Sequence, residues 1–191
     1  SADGKSVIFR KNGSPTAYQF YAAPAAGGLT KKMPLEFAST VSRGPAGDEF
    51  CFTRFYRSRN AWFKYIGGQQ NQIWTHRNGK FLQVTDVPGT NEYPVWVKDR
   101  IYFANEQQGQ FRLMSVPATG GKPRVEVLPT SLEIRELNTD GERVIFEHGQ
   151  AVEILDPAAK AVTPVKLHLN SDLIHMRRNR VKAERNVFGA T

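Results

Sequence analysis

The segment Trp62–Asp86, WFKYIGGQQNQIWTHRNGKFLQVTD, contains two short alternating runs, Gln72-Ile73-Trp74-Thr75-His76 and Lys80-Phe81-Leu82-Gln83-Val84-Thr85, joined at Asn78-Gly79. Both central positions of a two-residue hairpin turn need a positive φ, which Asn and Gly tolerate, so the spacing predicts a tight β-hairpin. The flanking sequence repeats this pattern.

Four segments share one plan: Gly4-Lys5-Ser6-Val7-Ile8-Phe9, Gly47-Asp48-Glu49-Phe50-Cys51-Phe52, Lys98-Asp99-Arg100-Ile101-Tyr102-Phe103 and Gly141-Glu142-Arg143-Val144-Ile145-Phe146. Each has a turn residue, then polar residues, then three mainly apolar residues ending in phenylalanine. They recur at steps of roughly 40–50 residues, the size of one propeller blade. A second strand follows each, as Ala17–Tyr21, Gln72–Thr75, Phe111–Val116 and Ala151–Leu155. Three of these run into Pro- and Gly- or Ala-rich terminators at Pro24, Pro117 and Pro157; proline cannot donate to a ladder and glycine admits φ > 0, so each marks a strand end. Third strands are read at Phe81–Thr85, Arg124–Val127 and Ala161–Val165, and strands preceding the phenylalanine strand at Pro94–Val97 and Leu132–Arg135.

Four short strands per repeat predict an all-β chain: about four blades, an arc, of a β-propeller with four-stranded blades. Leu132–Leu137 is the nearest helical candidate, and its place in the repeat assigns it to a strand. The blades are expected at about residues 1–38 (incomplete, lacking the innermost strand), 39–90, 91–130 and 131–170. Residues 171–191 then form a basic connection into a further blade starting near Val187-Phe188. Four open blades leave raw sheet edges, so the chain is expected to be part of a larger closed propeller.

The chain has 191 residues, 40% hydrophobic and 23% charged, within the range of a globular domain. No apolar run approaches the ~18 residues of a membrane span. A single cysteine, Cys51, rules out an internal disulfide. The net charge of +8 gathers at Arg54, Arg57 and Arg59 and again at Arg177, Arg178, Arg180, Lys182 and Arg185. Such a surface suits nucleic acid, anionic lipid, or acidic or carboxylate-bearing ligands, and either cluster taken alone reads as a solvated charged loop or tail. Nucleic acid is not expected as a partner, because few stacking aromatics thread the arginines apart from Phe55 and Tyr56.

No catalytic residue is assigned. There is no G-x-S-x-G elbow, Cys51 sits mid-strand between two phenylalanines, and no histidine has a serine or cysteine neighbour that would make it a base. His168, Asp172 and His175 match no compact zinc spacing, so no metal is expected. The paired glycines Gly27-Gly28, Gly67-Gly68 and Gly120-Gly121 read as turns, and no cofactor is expected. Trp62, Trp74 and Trp96 are assigned to packing between blades rather than to a ligand platform.

Trp62-Phe63-Lys64-Tyr65-Ile66-Gly67-Gly68 followed by Gln72-Ile73-Trp74 resembles a block of the tricorn-type serine peptidases. Pro94-Val95-Trp96 with Asp99–Phe103 resembles that family's next blade, and Leu132–Arg135 through Asn138–Phe146 the one after. Ser1–Phe9 is similar to the S-P-D-G-K repeat shared by tricorn and TolB-like propellers, with Ala2 in place of proline. The resemblance covers nearly the whole chain, but only the N-terminal six-bladed propeller of a far longer family protein. It implies a seven-bladed propeller, a PDZ-like region and a serine-peptidase region downstream, and a hexameric homo-oligomer in the cytoplasm. The segment itself would be non-catalytic, gating or guiding peptides and supporting assembly, with Arg54, Arg57, Arg59 and Lys64 as peptide-steering residues. The family's carboxylate-holding basic residues match positions upstream and none is carried over. The rival reading is a TolB-like interaction module of the cell envelope, which would be periplasmic.

Overall fold

A computed structural model describes residues 4–14, 17–55 and 67–168, and these hold fifteen strands and no helix. The first sheet comprises β1 (Ser6–Ser14), β2 (Ala17–Pro24) and β3 (Lys31–Glu36). The second has β4 (Val41–Arg43), β5 (Phe50–Phe52), β6 (Trp74–Arg77) and β7 (Lys80–Gln83). The third has β8 (Thr90–Val97), β9 (Arg100–Gln107), β10 (Gln110–Pro117) and β11 (Arg124–Thr130). The fourth has β12 (Ile134–Thr139), β13 (Val144–His148), β14 (Ala151–Asp156) and β15 (Ala161–Pro164). Every sheet is an antiparallel meander in chain order. The hairpin expected at Asn78-Gly79 is present: φ is 51° and 69° at those residues, Arg77 faces Lys80, and the pairing runs on to a Val84 N–H donating to the Ile73 carbonyl at 2.9 Å.

Period-two alternation explains how the sheets meet. In β9, Ile101 and Phe103 join Cys51, Ile73, Val84 and Trp96 in a core between the second and third sheets. The intervening Tyr102 and Ala104 join Ile134, Val144, Phe146 and Leu155 in a core between the third and fourth. In β5, Phe50 and Phe52 face Phe20, Met33 and Leu35 of the first sheet, while Cys51 points the other way. The second and third sheets are thus covered on both faces because each has a neighbour on both, and each buried large side chain contributes about 1.5–3 kcal/mol. The first strands of the full sheets are the innermost, since β8 packs against both β4 and β12. Sheets that touch along their first strands and fan outward are the blades of a propeller, and the described residues form an arc of four.

The phenylalanine repeat reads out this geometry. Phe52, Phe103 and Phe146 each point at the preceding sheet and are at most 2% exposed. Phe9 occupies the same place in the first sheet, where no preceding sheet lies among the described residues, and it is 37% exposed, stacked on Tyr21 at 5.9 Å. β1 pairs only with β2 among the described strands, so among the described residues that sheet has no counterpart of β4, β8 and β12. The Asp-Gly of the repeat has a mechanical role at Asp140. Its carboxylate accepts from the Arg143 and Glu142 N–H groups at 2.8 and 2.9 Å and pairs with the Arg143 guanidinium, closing the turn between β12 and β13. Those donors hold the carboxyl well below the usual range.

Two strands escape the sequence reading, β3 and β4, and a third, β12, starts two residues later than expected and runs on to Thr139.

Candidate functional site

Because blades diverge away from the axis, the gap between neighbouring sheets widens toward their outer strands. Between the first and second sheets this leaves an open-sided cleft of about 430 Å³ lined by Pro34, Phe52, Arg54, Trp74 and Phe81. Cross-strand register puts three of them on one face: Phe52 opposes Trp74 across β5 and β6, and His76 opposes Phe81 across β6 and β7. Phe81 lies edge-on to Phe52 with ring centroids 6.0 Å apart and sits 4.9 Å from the His76 ring. β7 is exposed along its length, so half of the Phe81 ring faces solvent. Pro34 comes from β3 on the facing sheet.

Arg54, expected as a peptide-steering residue, stands at the mouth of this cleft. β5 ends at Phe52 and β6 begins at Trp74, so both residues lie at the same end of the second sheet. The guanidinium carbon is 5.3 Å from the Trp74 ring centroid, a cation–π contact, and among the described residues no carboxylate pairs with it. Arg57, Arg59 and Lys64 lie outside the described residues, as do Trp62 and the basic run from Arg177 to Arg185. Of the other tryptophans, Trp96 is buried between the second and third sheets, as its repeat position implied, whereas Trp74 is half-buried and shared between core and cleft.

A buried polar network fixes the chain on both sides of residues 56–66. The Asn71 carboxamide accepts from the Phe55 N–H at 2.9 Å and donates to the Phe55 carbonyl at 2.7 Å, as a paired strand would. It also donates to the Glu92 carboxylate at 2.7 Å. The Asn71 carbonyl accepts from the Asn91 backbone and side chain, and Gln72 Oε1 accepts from the Thr85 hydroxyl at 2.7 Å. Asn105 Nδ2 donates to Asn91 Oδ1 and to the Pro88 carbonyl, both at 3.0 Å. Each buried amide is therefore satisfied, and Arg54 and Phe55 spring from a fixed base. Sequence reasoning missed this network and the contribution of Pro34 and Phe81 to the cleft.

The described residues contain no assembled nucleophile. Cys51 is fully buried, and desolvation pushes its thiol far above the ordinary range. A thiol reagent should therefore leave the native chain unlabelled and modify one equivalent after denaturation; fast native labelling would contradict the packing at β5. Ser115 is buried between β9 and β11, accepting from Arg100 at 2.8 and 2.9 Å and donating to Glu126, with no histidine in the set. His76 Nδ1 meets the Asp48 carbonyl and His148 Nδ1 meets Glu153, each at 2.9 Å. Among the described residues no three His, Cys, Asp or Glu side chains converge; His168 is described, but Asp172 and His175 are not.

Comparison with known proteins gives a consistent answer. The family model described as the tricorn protease N-terminal beta propeller domain matches residues 1–161. A tricorn protease homolog of Saccharolobus solfataricus is 26% identical over 147 residues, covering 76% of this chain and 14% of the relative. The tricorn protease of Thermoplasma acidophilum is 31% identical over 107 residues, covering 56% of this chain and 10% of the relative. The chain thus spans a small part of the length of the curated relatives it matches. The crystal structure of the tricorn protease superposes with a TM-score of 0.61 at 20% identity, over 89% of this chain and 22% of that one. A TolB structure from Agrobacterium tumefaciens superposes with a TM-score of 0.64 at 16% identity, over 85% of this chain and 61% of that one. At these identities the superpositions speak for the fold alone, and the propeller arc read from the cores is the fold they share. With the family model spanning most of the sequence, the chain belongs to the tricorn protease N-terminal β-propeller family.

Proposed function

We propose that this arc is the non-catalytic propeller portion of a tricorn-like serine peptidase, where it guides or gates peptide substrates and supports assembly. The observation that carries the peptide role is Arg54, a cation without an acidic partner among the described residues, set beside an apolar cleft on a chain of net charge +8. A positive entrance raises the local concentration of acidic or carboxylate-bearing peptides. Arg57, Arg59 and Lys64 extend the same charge along the sequence. The complete protein would be a homo-oligomer, a hexamer by analogy with the family, and cytoplasmic.

Substituting Arg54, Arg57, Arg59 and Lys64 by Glu in the full-length peptidase tests this reading. Each reversed charge should lower kcat/KM for long peptides, about tenfold for the set. Very short substrates should be spared. An equal fall for both would remove the guiding role. The rival, a TolB-like interaction module of the cell envelope, uses the same strands, and the parent reading frame separates the two: a downstream PDZ-like and peptidase region supports the first.

A further inference from the structure

We propose that the cleft between the first and second sheets is a docking site for an extended acidic peptide segment. It seats one bulky apolar side chain against Phe52, Trp74 and Phe81, while an Asp or Glu carboxylate two residues along meets Arg54. This inference rests on the peptide-guiding reading and names the sequence chemistry that the site selects.

Three features determine the occupant. The lining is aromatic and proline apart from one cation, and half of the Phe81 ring lies in water, so an apolar side chain entering the cleft removes apolar surface from both partners. The Arg54 guanidinium carbon lies over the Trp74 ring at 5.3 Å, and among the described residues no carboxylate pairs with it, so its N–H fork can take a carboxylate from a ligand. The cleft is open-sided between strands of two different blades, so it admits a chain passing through rather than only a chain end. In an extended chain, residues i and i+2 share a face about 7 Å apart, which sets the apolar residue and the carboxylate two positions apart. Net charge completes the choice: at +8 the chain favours an acidic segment over a basic one.

The test uses the full chain and fluorescein-labelled peptides, acetylated and C-terminally amidated, with a Phe-x-Glu core flanked by Gly and Ser, read by anisotropy. Phe-x-Glu should bind saturably, and Phe-x-Gln and Ala-x-Glu each about tenfold more weakly. Arg54→Glu should lose about tenfold in affinity, Arg54→Lys less, and Phe81→Ala several-fold. Circular dichroism should show all three variants folded, since both side chains are solvent-facing. Equal binding of Phe-x-Gln, indifference to Arg54→Glu, or a requirement for a free C-terminal carboxylate would each overturn the site. So would binding that emerges only when residues 56–66 are replaced by a Gly-Ser linker, because the occupant would then be the chain itself. Peptide binding with unchanged long-peptide hydrolysis in the peptidase would instead leave the site standing and remove the guiding role.

Discussion

Phe103→Ala is expected to destabilise the chain by about 3–5 kcal/mol, the usual cost of emptying a buried phenylalanine site. Phe9→Ala, at the same place in the repeat, is expected to cost no more than about 1 kcal/mol, the worth of a cross-strand aromatic pair on an open face. The asymmetry follows from the fan. Phe103 is fully buried against Cys51, Ile73 and Trp96 of two sheets, and neither sheet can close the hole without abandoning its pairing with a third. Phe9 is 37% exposed and stacks on Tyr21. Urea unfolding of the two variants, read as a shift in midpoint at unchanged slope, separates the outcomes. Equal costs would mean that the first sheet is covered in this chain as the third is, and a small cost at Phe103 would deny the core between the second and third blades.

The contrast also shows where sequence is a sufficient guide. A phenylalanine at a fixed offset is legible because one side chain at one register position fills the same inter-sheet gap in every blade. The Asn78-Gly79 turn is legible because backbone sterics restrict who can stand there. β4 is not legible: three residues, Val41-Ser42-Arg43, are too few to show a period, and their pairing with β5 depends on Phe50–Phe52 being held by the first sheet. β3 is hidden by two lysines and a proline at the outer edge of a blade, where half the side chains meet water. The cleft itself was not legible. Arg54 stood out as part of a charge cluster, but Phe81 reads as an ordinary strand residue until the divergence of the blades exposes it. The asparagine network is the hardest case. Asn71, Asn91 and Asn105 look like turn formers, and only the meeting of residues far apart in the chain turns them into a buried satisfied set.

That set converges on the connection between the second and third blades, where Gly89→Ala is expected to cost about 3 kcal/mol or more. A Cβ on Gly89 would stand 2.1 Å from the Glu106 carbonyl oxygen and 3.0 Å from its carbon, both backbone atoms of β9 that cannot give way without breaking the ladder with β10. The residue also has φ at +93°, where L side chains are strained. Gly141 separates the two causes: it has the same φ of +93° but nothing within 4 Å of an added Cβ. Gly141→Ala should therefore report conformational strain alone, about 1 kcal/mol. The surplus at Gly89 is the cost of pushing the connection off β9, and it should release the Asn105 bond to the Pro88 carbonyl. Amide hydrogen exchange then offers a local reading, with protection at the Asn91 N–H, which donates to the Asn71 carbonyl, falling in Gly89→Ala and unchanged in Gly141→Ala. Should the two substitutions cost the same, the close approach of this connection to β9 is not what holds the second and third blades in register, and the base beneath Arg54 would have to be fixed by other contacts.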